Sequence, residues 1–377
     1  MSDYAFTTLL YHRFRTGSHS HSTAIGSRGA GCAVAQLRLV GVIDGRAGAG
    51  GRPKKLVIGA SGFLGSHVTR QLVAAGEDVR VMVRRTSATR GIDDLPVERC
   101  HGDVFDDAAL AAAMSGCDVV YHCVVDARMW LRDPAPLFRT NVDGLRHVLD
   151  AAVDARLRRF VYTSTTGTPA VSRTRAVTED DPHDWDGGGP YIQARVDAEN
   201  LVLSYARERG LPAVALCIST TYGPGDWQPT PHGDLIARVA SGRFPFYLGF
   251  SAEVVGIEDA ARAMLLAADH GSPGERYIVS DRYLSSRKVH AVAAEAVGRR
   301  PPRIPLPMPL LYSVARINDA AAAMLRRDLM FAAVGMRMAD LMSPLDHRKA
   351  ERELGWTPRP VEESIAGAAR FFRDRER

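Results

Sequence analysis

A glycine-rich turn constrains this chain more than any other segment: Gly59-Ala60-Ser61-Gly62-Phe63-Leu64-Gly65. It follows the short apolar run Lys55–Ile58 and opens a stretch of helical periodicity, Phe63–Ala75. A strand that turns at once into a helix confines the fold to sheets covered by helices. Each glycine has its own physical reason: a tight turn, close approach of a ligand to backbone, and close packing of helix on strand. The free N–H groups at the start of the helix form a ready anion site. The spacing predicts a loop that cradles a dinucleotide pyrophosphate, with Gly59, Ser61, Gly62, Phe63, Leu64 and Gly65 as contacts.

The same alternation continues along the chain. β runs at Val79–Val83, Val97–Cys100, Asp118–His122, Arg159–Thr163 and Ala213–Ile218 are separated by helical stretches at Asp106–Met114, Asn141–Ala155 and Tyr191–Arg209. The β runs are apolar throughout rather than alternating, which calls for a parallel sheet buried on both faces. Residues 54–220 are therefore expected to form a Rossmann-type, doubly wound α/β domain that binds NAD(P). Residues 221–377 are expected to form a smaller, mainly helical substrate-binding region. In it, Glu258–Asp269 and Ser286–Val297 read as helices, and Arg276–Val279 as a strand able to rejoin the sheet.

After the proline-rich stretch Pro301–Pro309, Leu310–Met342 is apolar, and with Met308 it holds six of the eleven Met. It reads as core helices, with a pliable wall for an apolar substrate or a membrane-surface face as the alternatives. Residues 1–53 hold nine Gly and no sustained period, and read as a disordered extension or a start placed too far upstream.

Charge and cysteine usage narrow the function classes. The net charge is +5, and six Arg against two Asp within residues 1–53 supply +4 of it, which argues against a basic groove for nucleic acid. The five cysteines (Cys32, Cys100, Cys117, Cys123, Cys217) contain no CxxC pair, which excludes a zinc ribbon and suits a reducing, cytoplasmic compartment. No run is apolar and long enough to span a membrane.

An NAD-selective fold of this type usually places Asp or Glu about 20 residues beyond the loop, for the ribose 2′-hydroxyl. Here the second β run ends in Val83-Arg84-Arg85-Thr86-Ser87. Two guanidiniums and two hydroxyls make a clamp for a 2′-phosphate, so NADP is expected before NAD. Asp103, followed by Val104, is placed to accept from the adenine amino group or to serve as a turn residue.

GASGFLG, YHCVVDARMW, NVDGLRHVLDAA and VYTSTTGT followed by PYIQARVDAE resemble the extended short-chain dehydrogenase/reductase superfamily. Within it the chain is most similar to the dihydroflavonol reductase-like branch, which includes hopanoid-associated sugar epimerase-like proteins. The resemblance implies Tyr191 as proton donor and acceptor, with Thr165 where the family has Ser and with Ser164 and Thr166 as neighbouring hydroxyls that leave the assignment open. It also places Arg195 where the family has Lys. Arg keeps the charge and can hold the nicotinamide ribose, but it does not release a proton. The cation is expected to lower the tyrosine pKa from about 10. Val104, His122 and Ser219 complete the implied cofactor contacts, and Asn141 resembles a bracing residue. Cys123 reads as a packed thiol.

The implied activity is hydride transfer between NAD(P) and a hydroxyl or ketone of a hydrophobic ring compound, as in dihydroflavonol reductases and 3β-hydroxysteroid dehydrogenases. Trp130, Trp227, Phe244, Phe246 and Tyr247 are candidates for an apolar lid. A nucleotide-sugar epimerase or dehydratase, and a non-catalytic NADP sensor, are the alternatives. The resemblance also implies a homodimer.

Overall fold

The computed structural model describes residues 52–184 and 188–375, so the reading of residues 1–53 lies outside the described residues except at Arg52 and Pro53. Six parallel strands follow one another along the chain: β1 (Lys54–Ile58), β2 (Val79–Val83), β3 (Glu98–His101), β4 (Cys117–His122), β5 (Arg159–Thr165) and β6 (Ala213–Ile218). With β7 (Thr220–Tyr222), β8 (Phe246–Leu248) and β9 (Ser251–Gly256) diverted elsewhere, β10 (Arg276–Val279) returns as the seventh strand. The order is β10-β6-β5-β4-β1-β2-β3, all parallel. The winding direction reverses between β1 and β4, and the carboxyl ends of the strands at such a switch point are the usual place for a ligand in sheets of this kind.

The helices are α1 (Phe63–Ala74), α2 (Asp107–Met114), α3 (Ala135–Phe138), α4 (Gly144–Asp154), α5 (Gly189–Arg209), α6 (Pro231–Ala240), α7 (Ile257–His270), α8 (Ser286–Glu295), α9 (Met308–Leu325), α10 (Ala333–Leu341), α11 (Arg348–Leu354) and α12 (Val361–Arg375). A π-turn, Arg139–Asp143, precedes α4 where continuous helix was expected. Local chemistry sets several boundaries. Asp106 accepts from Ala109 N to cap α2, Thr230 accepts from Gly233 N to cap α6, and α5 stops at Gly210 with φ +65°.

Alternate strand residues feed two cores. Val57, Val119 and Tyr121 join α1 and α7 on one face; Leu56, Ile58, Val120 and Phe160 join α2, α4 and α5 on the other. Both faces are covered, which is why the strands read as unbroken apolar runs. Further along, β11 (Arg282–Ser285), β9 and β7 make a three-stranded sheet, and β8 pairs with β12 (Ile304–Leu306). A third core joins α6, α8 and α12 through Ile236, Val289, Ile365 and Phe372.

The helices α9 and α10 differ from the expected core helices. α9 buries Leu311, Ala315 and Ala322, and α10 buries none of its residues. The outward apolar side chains of α9 are uncovered by any described residue, whereas those of α10 are half-covered.

Candidate active site

The glycine turn is as tight as its spacing demands. Gly59 has φ +88°, and a Cβ on it would lie 2.9 Å from the Cys123 carbonyl carbon. A Cβ on Gly65 would overlap the Gly59 carbonyl oxygen, whereas one on Gly62 meets that oxygen only at 3.4 Å, an ordinary contact. Gly62 N donates to Gly59 O (3.0 Å) and holds the turn closed. No side chain caps α1 and no acid stands in its first turn, so its first N–H groups and dipole are left for an anion.

Beyond β2, Arg84 and Arg85 are exposed, and neither side chain is engaged by another described residue. Asp103 accepts from Phe105 N (3.2 Å) in a short turn, while Asp106 does the capping of α2. Val104 is buried against Gly144 and the second core.

Three strands align the reacting end of the sheet. Ile58 lies opposite His122, and His122 opposite Tyr162. On α5, Tyr191, Arg195 and Glu199 repeat every four residues and so share one face. All three are buried, Arg195 to 2% exposure. Arg195 Nη2 donates to Thr163 O (2.6 Å), and its guanidinium lies over the Tyr162 ring at 5.6 Å. Its Nε and Nη1, together with His122 Nδ1 and Ser219 Oγ, have no hydrogen-bond partner among the described residues. A buried guanidinium with two idle donors and no carboxylate is costly unless something else supplies acceptors.

Glu199 anchors the far end of that face. It accepts from Ser164 Oγ, from Thr168 Oγ1 (2.8 Å) and from Arg276 Nη1 (3.1 Å). The Ser164 hydroxyl is thereby committed, leaving Thr165, half-buried at the end of β5, as the neighbouring hydroxyl nearer solvent. Burial pushes the Cys123 thiol up to about 12 and the Cys217 thiol well above its usual value, so both are inert thiols at neutral pH. The His122 imidazole, buried and facing Arg195, is held neutral with its pKa pulled down to about 3.

Tyr191 departs from the sequence expectation in one respect. Its burial raises the phenol pKa, Arg195 lowers it, Asp126 raises it, and the net direction is upward from 10.0. Desolvation of a phenolate outweighs a single guanidinium, so the proposed cation effect alone does not make Tyr191 a base.

Asn141, inside the π-turn, accepts from Asp126 N (2.9 Å) and donates to Asp126 O (2.9 Å), which clamps the loop opposite Tyr191. Tyr191 packs with Leu137 and Ile192 in a cluster that Met129, Leu131, Met338 and Leu341 complete. Four of the five aromatic lid candidates pack elsewhere: Phe244 stacks edge-on with Phe246 and His290, Tyr247 lies under Arg287, and Trp227 packs on Phe371, while Trp130 stands between Met129 and Leu131 of the Tyr191 cluster. Met338 and Leu341 were legible only as members of an apolar stretch.

A model of the NAD dependent epimerase/dehydratase family matches residues 55–280. The chain belongs to this family. It is therefore an NAD(P)-dependent oxidoreductase of the extended short-chain dehydrogenase type. It is 30% identical over 323 residues to sterol demethylase protein B of Methylococcus capsulatus, covering 85% of this chain and 98% of the relative. It is 29% identical over 324 residues to a putative dihydroflavonol 4-reductase of Synechocystis, covering 84% and 94%. Among solved structures, that of gox2253 matches with a TM-score of 0.76 at 31% identity, over 86% of this chain and 98% of the other.

The residues present fit the cofactor that the family name carries. The uncapped start of α1 suits a pyrophosphate. The idle donors of Arg195 suit ribose hydroxyls, and the unpartnered Ser219 hydroxyl suits a carboxamide.

Proposed function

We propose that this epimerase/dehydratase family member is an NADP(H)-linked reductase or dehydrogenase for a hydroxyl or ketone on a hydrophobic ring compound. The observation that carries the reading is the wall around Tyr191: Met129, Leu131, Leu137, Met338 and Leu341 offer apolar contact where a sugar would need polar partners. Relatives named for a sterol and for a dihydroflavonol point the same way.

In this reading residues 54–220 hold the cofactor through Gly59, Ser61, Gly62, Phe63, Leu64, Gly65, Asp103, Val104, His122 and Ser219. Residues 221–377 supply much of the substrate wall. Arg84 and Arg85, at the end of β2 and without a side-chain partner among the described residues, bind the 2′-phosphate that distinguishes NADP from NAD. Bound nicotinamide supplies or accepts the hydride. Tyr191 gives its phenol proton to the substrate oxygen in reduction and takes one in oxidation. The Thr165 hydroxyl orients that oxygen. Arg195 holds the ribose with its two idle donors and stabilises the phenolate from one helical turn away. The clamp of Asn141 on Asp126 keeps the opposite loop in place.

The test is turnover of NADPH by the purified enzyme on steroid ketones and dihydroflavonols, beside UDP-sugars. The reading expects stoichiometric NADPH oxidation on the ring ketones and none on the sugars. Interconversion of UDP-sugars without net cofactor oxidation would establish the epimerase reading instead.

A further inference from the structure

Of the ten large hydrophobic side chains that stand exposed on the described surface, seven lie between Ile304 and Met330. Five belong to α9: Leu310, Val314, Ile317, Met324 and Leu325, with Ile317 70% and Met324 80% exposed. At about 100° per residue, the arc of α9 facing away from Leu311, Ala315 and Ala322 is about 140° wide and contains no charged side chain. Patches of this kind mark a surface that meets something.

The charges around it say what. Arg303 precedes the helix, Arg326 and Arg327 follow it, and Arg316 stands at its margin; none of the four is engaged through its side chain by another described residue. Of the acids nearby, Asp319 accepts from Ala333 N (3.2 Å), Asp328 accepts from Arg132 N (2.9 Å), and Asp340 on α10 pairs with Arg173 (3.7 Å). A second copy docked here across a twofold axis would bring two net-positive surfaces together, four Arg against two Asp on each. An anionic lipid surface answers both features, taking the apolar arc into the acyl boundary and the guanidiniums at the phosphates.

We propose that α9 is a docking helix for an anionic phospholipid surface. It packs on α10, whose Met338 and Leu341 reach the Tyr191 cluster, so the docking face adjoins the proposed site. The docking itself does not depend on which substrate the enzyme takes.

The test is co-sedimentation of the full chain with vesicles of phosphatidylcholine and of an equimolar phosphatidylcholine–phosphatidylglycerol mixture. Binding to the anionic vesicles, weakened by salt, is the expected result. Ile317→Glu combined with Met324→Glu should cut it by at least about tenfold, and Arg326→Ala and Arg327→Ala by about fivefold each, with thermal midpoint and cofactor affinity unchanged. Absence of anionic binding overturns the proposal. So does binding that survives the double glutamate variant, since the basic residues before Lys54 would then carry it. A wild-type dimer that the glutamates dissociate, measured by light scattering, would assign the face to a second copy.

Discussion

Phe160 on the sheet and Ile317 on α9 are both large apolar side chains, yet the first is wholly covered and the second is 70% exposed. On the sheet the apolar side chains pack under helices on one face or the other, and at its carboxyl end Ser164 is paired with Glu199 while His122 Nδ1 and Ser219 Oγ have no partner among the described residues. On α9 the same kinds of residue face outward with no described residue over them, and on α10 they are half-covered, with Met338 and Leu341 against the Tyr191 cluster. The first region is a pre-set scaffold that leaves its ligand groups little freedom. The second adapts, because unbranched Met and Leu on a half-covered helix repack at little cost. Changes on the sheet side should therefore be severe and specific, and changes on the α10 side graded.

The largest effect expected is on Tyr191. Tyr191→Phe should lower turnover by about a thousandfold or more, within the range for loss of a positioned acid or base, and leave cofactor affinity intact. Retained turnover would move the proton donor elsewhere. The glycine turn should split in two. Gly65→Ala overlaps the Gly59 carbonyl and should depress the thermal midpoint together with cofactor binding. Gly62→Ala meets only ordinary contacts, so it should keep the midpoint and weaken the cofactor alone. Equal behaviour of the two variants in a melting assay would break the contrast between packing glycine and ligand-facing glycine.

Acid stability comes next. His290 is held down at about 4 and His122 at about 3, both by burial, against 6.5 when free. The unfolded chain therefore binds more protons than the folded one between about pH 6.5 and 4, and stability falls as pH falls through that window. At 1.36 kcal/mol per unit, His290 accounts for about 3 kcal/mol of that loss, and His290→Gln should flatten the pH dependence of the denaturation midpoint.

Arg84→Ala should cost about ten- to a hundredfold in NADPH affinity, the range of one charge-assisted contact, with NADH unaffected in the same titration. Parallel loss of both would make Arg84 structural. Smallest is Met338→Ala, for which a several-fold rise in KM on an apolar ketone with kcat retained would mark α10 as an adaptable wall. A collapse in kcat would show that α10 is as exacting as the sheet.

Much was legible in the residues because it is local. GASGFLG announces itself through spacing, the apolar runs through their length, and Tyr191 with Arg195 through one helical turn. The alternation Ser164/Thr165 left the hydroxyl ambiguous until Glu199, on another element, claimed Ser164. The Asn141 clamp on Asp126 and the Arg276–Glu199 pair depend on where distant segments come to rest, which periodicity does not encode.

The sequence by itself determined the parallel sheet, the glycine turn and the face of α5, since backbone sterics and hydrophobic period act over a few residues at a time. Only the tertiary structure decided that Tyr191 is desolvated enough for its pKa to rise despite Arg195, that Met338 and Leu341 wall it, and that α9 stays uncovered. Those outcomes are set by which surfaces meet across long stretches of chain, and desolvation and burial exist only once they have met.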